Sequence, residues 1–131
     1  MKIKKEVIEQ LADHAKKEAP TEACGYLAGR YGIITSAYKL TNIDRSTDHF
    51  SFDPKEQFDA LKDARARGLE ISAVYHSHPA SPARPSDEDI KLAYDPKMLY
   101  VIVSLAVDSA EDVKAFEIKD GKVTTVKLEI V

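Results

Sequence analysis

Apolar residues in the first segment recur at helical spacing. Ile3, Val7, Ile8, Leu11 and Ala15 fall on one side, which predicts a helix over residues 3–18 ending before Pro20. His14, close to Asp13 and Lys16, would then lie on the solvent side of that helix. The period next shortens to two. CGYLAGR and GIITSAYKL are short β-rich runs around Arg30-Tyr31-Gly32, the pattern of a hairpin, and STDHFSF reads as a weaker strand alternating about Phe50 and Phe52. Helical spacing returns at Phe58, Leu61 and Ala64 or Arg65, behind Asp53 as N-cap and Pro54 at the first helical position, with Gly68 closing the helix. EISAVYHSH is apolar and β-branched up to Tyr75, so it predicts a strand that turns polar at its end. Three prolines in PASPARP forbid both a helix interior and a sheet ladder. SDEDIKLAY opens a short third helix, and the unbroken apolar run MLYVIVSLAV predicts the central strand. VKAFEI, the turn Lys119-Asp120-Gly121-Lys122 and VTTVKLEIV complete a final hairpin, for which Asp-Gly is a strong signal. This alternation predicts the α/β class: a sandwich with a mixed sheet and helices against its faces.

A chain of 131 residues can bury one core, and 44% hydrophobic against 31% charged residues is the balance of a globular protein rather than a disordered one. One domain over residues 1–131 is expected. The formal charge of −3, with both signs interspersed, argues against a nucleic-acid partner, and the one basic run, Lys62 to Arg67, reads as a solvated helix side. The N-terminal residues are charged throughout and lack the apolar run of a secretion signal. No stretch approaches the ~20 apolar residues of a membrane span. Cys24 stands alone, so no internal disulfide can form. These features predict a cytoplasmic protein with no membrane partner.

The chemistry concentrates in YHSHPASPARPSDED, residues 75–89. Side chains alternate along a strand, so His76 and His78 point the same way, ~6.6 Å apart along the backbone, while Ser77 points to the other face. Ser86 and Asp89, three apart at a helix start, share a side. If the proline loop folds that helix back over the strand end, two imidazoles and a carboxylate surround one point, with a hydroxyl nearby. Two nitrogens and an oxygen suit Zn²⁺, which in catalytic sites keeps a further position for water. Hydrolysis also needs a base and a group to steady an oxyanion, roles for which Glu22, in TEACGYLAG, and Ser86 are available.

Glu22, then His76-Ser77-His78, seven residues, and Ser86-Asp87-Glu88-Asp89 resembles the JAMM (MPN+, Mov34/PAD-1) metalloprotease family, whose motif is Glu…His-x-His-x7-Ser-x-x-Asp. Every motif position is matched without substitution. The resemblance extends over nearly the whole chain, since EACGYLAG and HSHP also look like family blocks. It implies the MPN/JAB1 fold, a mixed curved β-sheet flanked by helices and similar to that of cytidine deaminases. It further implies that His76, His78 and Asp89 ligate zinc, that Glu22 is the general acid/base, and that Ser86 supports the tetrahedral intermediate. Family members cleave the amide following the C-terminal glycines of ubiquitin-like proteins. The chain is close to a minimal domain, like the stand-alone prokaryotic branch, whose partners are ubiquitin-fold sulfur-carrier or modifier proteins with a Gly-Gly tail.

Each residue also has a plainer reading. Ser86-x-x-Asp89 is a helix capping pattern, and an aspartate engaged with a metal would cap poorly. His-x-His at a strand end is often a surface pair, and Glu22 alone reads as an exposed loop acid. His49, beside Phe50, could line a groove. Cys24, two residues from Glu22, reads as a small buried residue, because a Cys-His enzyme would need as its base a histidine that the motif engages elsewhere. A zinc deaminase is excluded, since it requires Pro-Cys-x-x-Cys and the chain has a single cysteine. A binding scaffold without metal is the alternative to an enzyme, and such relatives lack some of the five motif positions. Two cleavages stay open: an isopeptide to a lysine, or a C-terminal extension trimmed to expose Gly-Gly. For the second, Arg84 in the proline loop would contact the substrate's carboxylate.

Overall fold

The computed structural model describes residues 1–106 and 112–131. In chain order the elements are β1 (Lys2–Ile3), α1 (Lys5–Glu18), β2 (Cys24–Arg30), β3 (Ile33–Leu40), α2 (Pro54–Ala66), β4 (Glu70–His78), α3 (Asp87–Lys91), β5 (Leu99–Ser104), β6 (Asp112–Lys119), β7 (Lys122–Val126) and β8 (Glu129–Ile130). The strands form one sheet in the order β7-β6-β5-β4-β2-β3-β1-β8. The pairs β4/β5, β1/β3 and β1/β8 are parallel and the others antiparallel, so the sheet is mixed. Register shifts after Leu27 and Ala28 break the ladder of β2 against both its neighbours, and such irregularities bend a sheet.

Strand alternation divides the core. Leu27, Ala73, Tyr75, Val101 and Val103 point to one face, where Val7, Ile8, Leu11 and Ala15 of α1 cover them. Tyr26 and Leu40 point to the other, against Ala60 of α2. On that same side Ala83 of the proline loop packs on Ile102 and Phe116. Both helices and the proline loop thus bury the faces that a two-residue period creates.

Local chemistry explains the boundaries. Tyr31 and Gly32, and again Asp120 and Gly121, have φ between +51° and +76°, the paired left-handed conformation of a two-residue hairpin turn. Asp53 caps α2 by accepting from the Lys55 amide at 3.0 Å, Pro54 occupies the first turn, and Gly68 follows the end with φ +69°.

Several expectations are corrected. The first helix begins at Lys5, and Ile3 is instead a fully buried strand residue between β3 and β8; two residues are too few for periodicity to separate strand from helix. His14 is buried, because it lies three residues from Leu11 and seven from Val7, on the apolar stripe itself. Phe58 and Leu61 are exposed, and α2 packs through Ala60 and Ala64, whose small side chains allow a close approach. The run 98–107 gives β5, which lies beside β4 rather than at the centre of the sheet; Val107 lies outside the described residues. STDHFSF contributes one isolated bridge, Asn42 to Phe52. The last segment is divided: β7 pairs with β6, whereas β8 pairs with β1 at the opposite edge. Among the described residues no helix is long and apolar enough to cross a membrane.

Candidate active site

Strand β4 delivers His76 and His78 to the same face at its C-terminal end, and both are buried. Beyond it the proline loop turns back, held by Ser104, whose hydroxyl donates to the Ser81 carbonyl at 2.7 Å. That return brings the start of α3 over the strand end. Asp89 Oδ2 then lies 3.2 Å from His76 Nε2 and 3.1 Å from His78 Nε2, and the two nitrogens are 3.1 Å apart. The Pro82 carbonyl, an acceptor only, is 2.9 Å from His78 Nδ1, so that nitrogen carries a proton and Nε2 presents its lone pair to the cluster when the ring is neutral. The His76 ring stacks on Phe50, with centroids 4.9 Å apart and planes at 29°.

Three donor atoms this close fit a metal. Bonds of ~2.0–2.1 Å at a tetrahedral angle put neighbouring ligand atoms roughly 3.3 Å apart, close to all three distances here. Two imidazoles and one carboxylate are also the donor chemistry zinc takes, and the three residues are the group among the described residues able to hold an ion. Burial opposes ionisation of Asp89, but hydrogen bonds from His76, His78 and the Ser86 amide outweigh it and hold the carboxyl far below the usual range. Burial likewise disfavours the charged His78, yet Asp89 and the Pro82 carbonyl raise its pKa above the ordinary value.

Capping and clustering turn out to be compatible. The Ser86 hydroxyl accepts from the Asp89 amide at 3.0 Å, while Asp89 Oδ2 accepts from the Ser86 amide at 2.9 Å, a complete capping box. The same Oδ2 faces both imidazoles, because a carboxylate oxygen has lone pairs for several directions.

Glu22 sits just before β2 and is only 2% exposed, in contrast to the exposed acid expected. Its Oε1 has no partner, and burial pushes its pKa up to about 8, with His78 pulling the other way. Glu22, His78 and Ser86 share the wall of an open pocket of about 450 Å³. On the other side of the cluster a pocket of about 280 Å³ is lined by His49, Phe50, His76 and Tyr94. Arg84 is exposed on the proline loop and lines neither. Cys24 is fully buried and its thiol is pushed up to about 12 by burial, so a thiolate is disfavoured. Two contributors carry no clear sequence signal: Asn42, whose amide reaches the Glu22 carbonyl, and Phe50.

Comparison with known proteins agrees with this geometry. The family described as prokaryotic homologs of the JAB domain matches residues 4–119. The chain is 32% identical to a protein named CysO-cysteine peptidase from Mycobacterium tuberculosis, over 98% of this chain and 90% of that one. It is 35% identical to a probable TtuB-protein conjugate cleaving protease from Thermus thermophilus, over 88% and 74%. A protein from Desulfitobacterium hafniense, solved in solution, superposes with a TM-score of 0.91 at 42% identity, over 99% of this chain and 92% of that one. The buried His-His-Asp cluster, the neighbouring glutamate and these matches lead to one conclusion: the chain belongs to the prokaryotic JAB-domain branch of the JAMM/MPN family.

Proposed function

We propose that this protein is a zinc-dependent hydrolase that cleaves the amide after the C-terminal Gly-Gly of a ubiquitin-like sulfur-carrier or modifier protein, and that it works in the cytoplasm. One observation carries the reading: three ligand atoms converge beside a buried glutamate with an unpartnered oxygen, at the wall of an open pocket. The relatives' names, a peptidase acting on CysO-cysteine and a protease of TtuB conjugates, supply the substrate class.

His76, His78 and Asp89 would hold the ion. When bound, zinc supplies Lewis acidity and makes water deprotonation accessible near neutral pH. Glu22, whose Oε1 is free of other partners at the wall of the pocket it shares with His78 and Ser86, takes that proton and passes it to the departing amine. The Ser86 hydroxyl, whose oxygen already accepts from the Asp89 amide, retains its own proton to donate to the oxyanion. Glycine suits the approach because it brings no side chain past the proline loop. Arg84, exposed on that loop, would reach a free carboxylate on the leaving group, favouring C-terminal trimming over isopeptide cleavage.

The test joins metal analysis to turnover. Purified protein should carry about one zinc per chain and should release the extension from a carrier ending Gly-Gly-X, read by product mass. Glu22→Gln should keep the zinc and lower kcat by ~10²-fold or more. A metal-free preparation that is fully active, or an active Glu22→Gln, would defeat the reading. Arg84→Ala should slow trimming more than isopeptide cleavage, and an equal effect on both removes its role.

A further inference from the structure

The Glu22 carboxyl raises a problem of aim. It is buried, and Oε1 meets no hydrogen-bond donor, so no hydrogen bond to that oxygen holds its direction and the placement of the backbone that carries it matters the more. That backbone is pinned from two sides. The Glu22 amide donates to the Ser46 carbonyl at 2.9 Å, and the Glu22 carbonyl accepts from Asn42 Nδ2 at 3.1 Å. At the next residue the Ala23 amide donates to Ser77 Oγ at 2.7 Å, and the Ala23 carbonyl accepts from the Ser77 amide at 2.9 Å. All four backbone polar groups of these two residues are therefore held.

The holders link Glu22 to both walls of the site. Ser77, 1% exposed, stands between His76 and His78, so its hydroxyl fixes the glutamate segment to the strand that carries both imidazoles. Asn42 is 7% exposed and its amide is fully engaged. Nδ2 also donates to the His49 carbonyl at 3.0 Å, while Oδ1 accepts from the Asp44 and Ser51 amides at 3.1 and 3.4 Å. It thereby ties Glu22 to the loop from which Phe50 packs on His76. We infer that Asn42 and Ser77 are positioning residues, a two-sided clamp that aims the Glu22 carboxyl at the cluster formed by His76, His78 and Asp89.

The inference rests on the proposed role of Glu22, and its test separates the two. Metal-free wild type, Asn42→Ala, Ser77→Ala and Ser77→Thr are labelled with a carbodiimide and a glycine ester, and labelling at Glu22 is read by mass spectrometry. Wild type should resist at Glu22, both alanine variants should label there several-fold faster, and Ser77→Thr, which keeps the hydroxyl, should resist again. In the zinc-loaded proteins kcat should fall by roughly 10- to 100-fold for each alanine variant, with KM little changed, since a misplacement of ~1 Å at a reacting group costs about that much. Ser77→Thr should recover most of the loss. Glu22 labelling at the wild-type rate in both folded alanine variants overturns the clamp, as does zinc loss in place of kcat loss. If every form including wild type is inactive while labelling follows the expected pattern, the proposed function falls and the clamp stands.

Discussion

At the scale of single residues, Glu22 and Asp89 show opposite uses of burial. Asp89 is ionised because two imidazoles and an amide face it, whereas Glu22 is held toward its neutral form because burial removes it from water and no hydrogen bond to Oε1 offsets that cost. A folded pKa of about 8 against an ordinary 4.5 means that the folded state binds the extra proton between those limits. Stability from this group is then greatest below pH ~4.5 and is lost as pH rises toward 8. In metal-free protein, Glu22→Gln should therefore gain on wild type by roughly a few kcal/mol between pH 5 and pH 9, read from urea unfolding. A constant difference across that range contradicts a buried glutamate. The residue identities were legible from the sequence, since each chemical type appears at motif spacing. The depth of Glu22 was not, because three segments distant in sequence enclose it. His14 is the instructive miss: its heptad spacing from Val7 outweighed its charged neighbours, and it pairs with the Tyr75 hydroxyl at 2.8 Å.

At the scale of elements, local rules were read where one residue type has one strong use. Asp53-Pro54 opened α2, Asp120-Gly121 made the last turn, and the prolines kept residues 79–85 out of regular structure. Pattern failed where packing chose among apolar residues, leaving Phe58 and Leu61 outside while alanines faced the sheet. Helix α3 carries the sharpest consequence. It has five residues and no buried position, so its capping box supplies much of what holds it. Ser86→Ala should cost metal-free protein about 1 kcal/mol, seen as a lower unfolding midpoint. No loss of stability would mean that the Ser86 amide and the two imidazoles hold Asp89 without help from the Ser86 hydroxyl.

At the scale of the whole molecule, close packing around β2 sets the distance between Glu22 and the histidine strand. Gly25 lies three residues past Glu22 and pairs with both Lys39 and Tyr75. A Cβ there would collide with the Tyr38 carbonyl and the Tyr75 ring. Gly25→Ala should destabilise by about 3 kcal/mol or more, measured by denaturant unfolding, since neither the backbone nor a fully buried ring can move aside. A nearly neutral change would show that the strands can separate there.

The sequence by itself determined the class of fold, most element positions and the residue types that meet in the His-His-Asp cluster, because periodicity, turn residues and motif spacing are local properties. The tertiary structure alone decided the strand order, the return of β8 to the far edge, the burial of Glu22 and the enlistment of Asn42. Those depend on which distant segments exclude water from one another, and burial and convergence follow from packing in three dimensions rather than from neighbours along the chain.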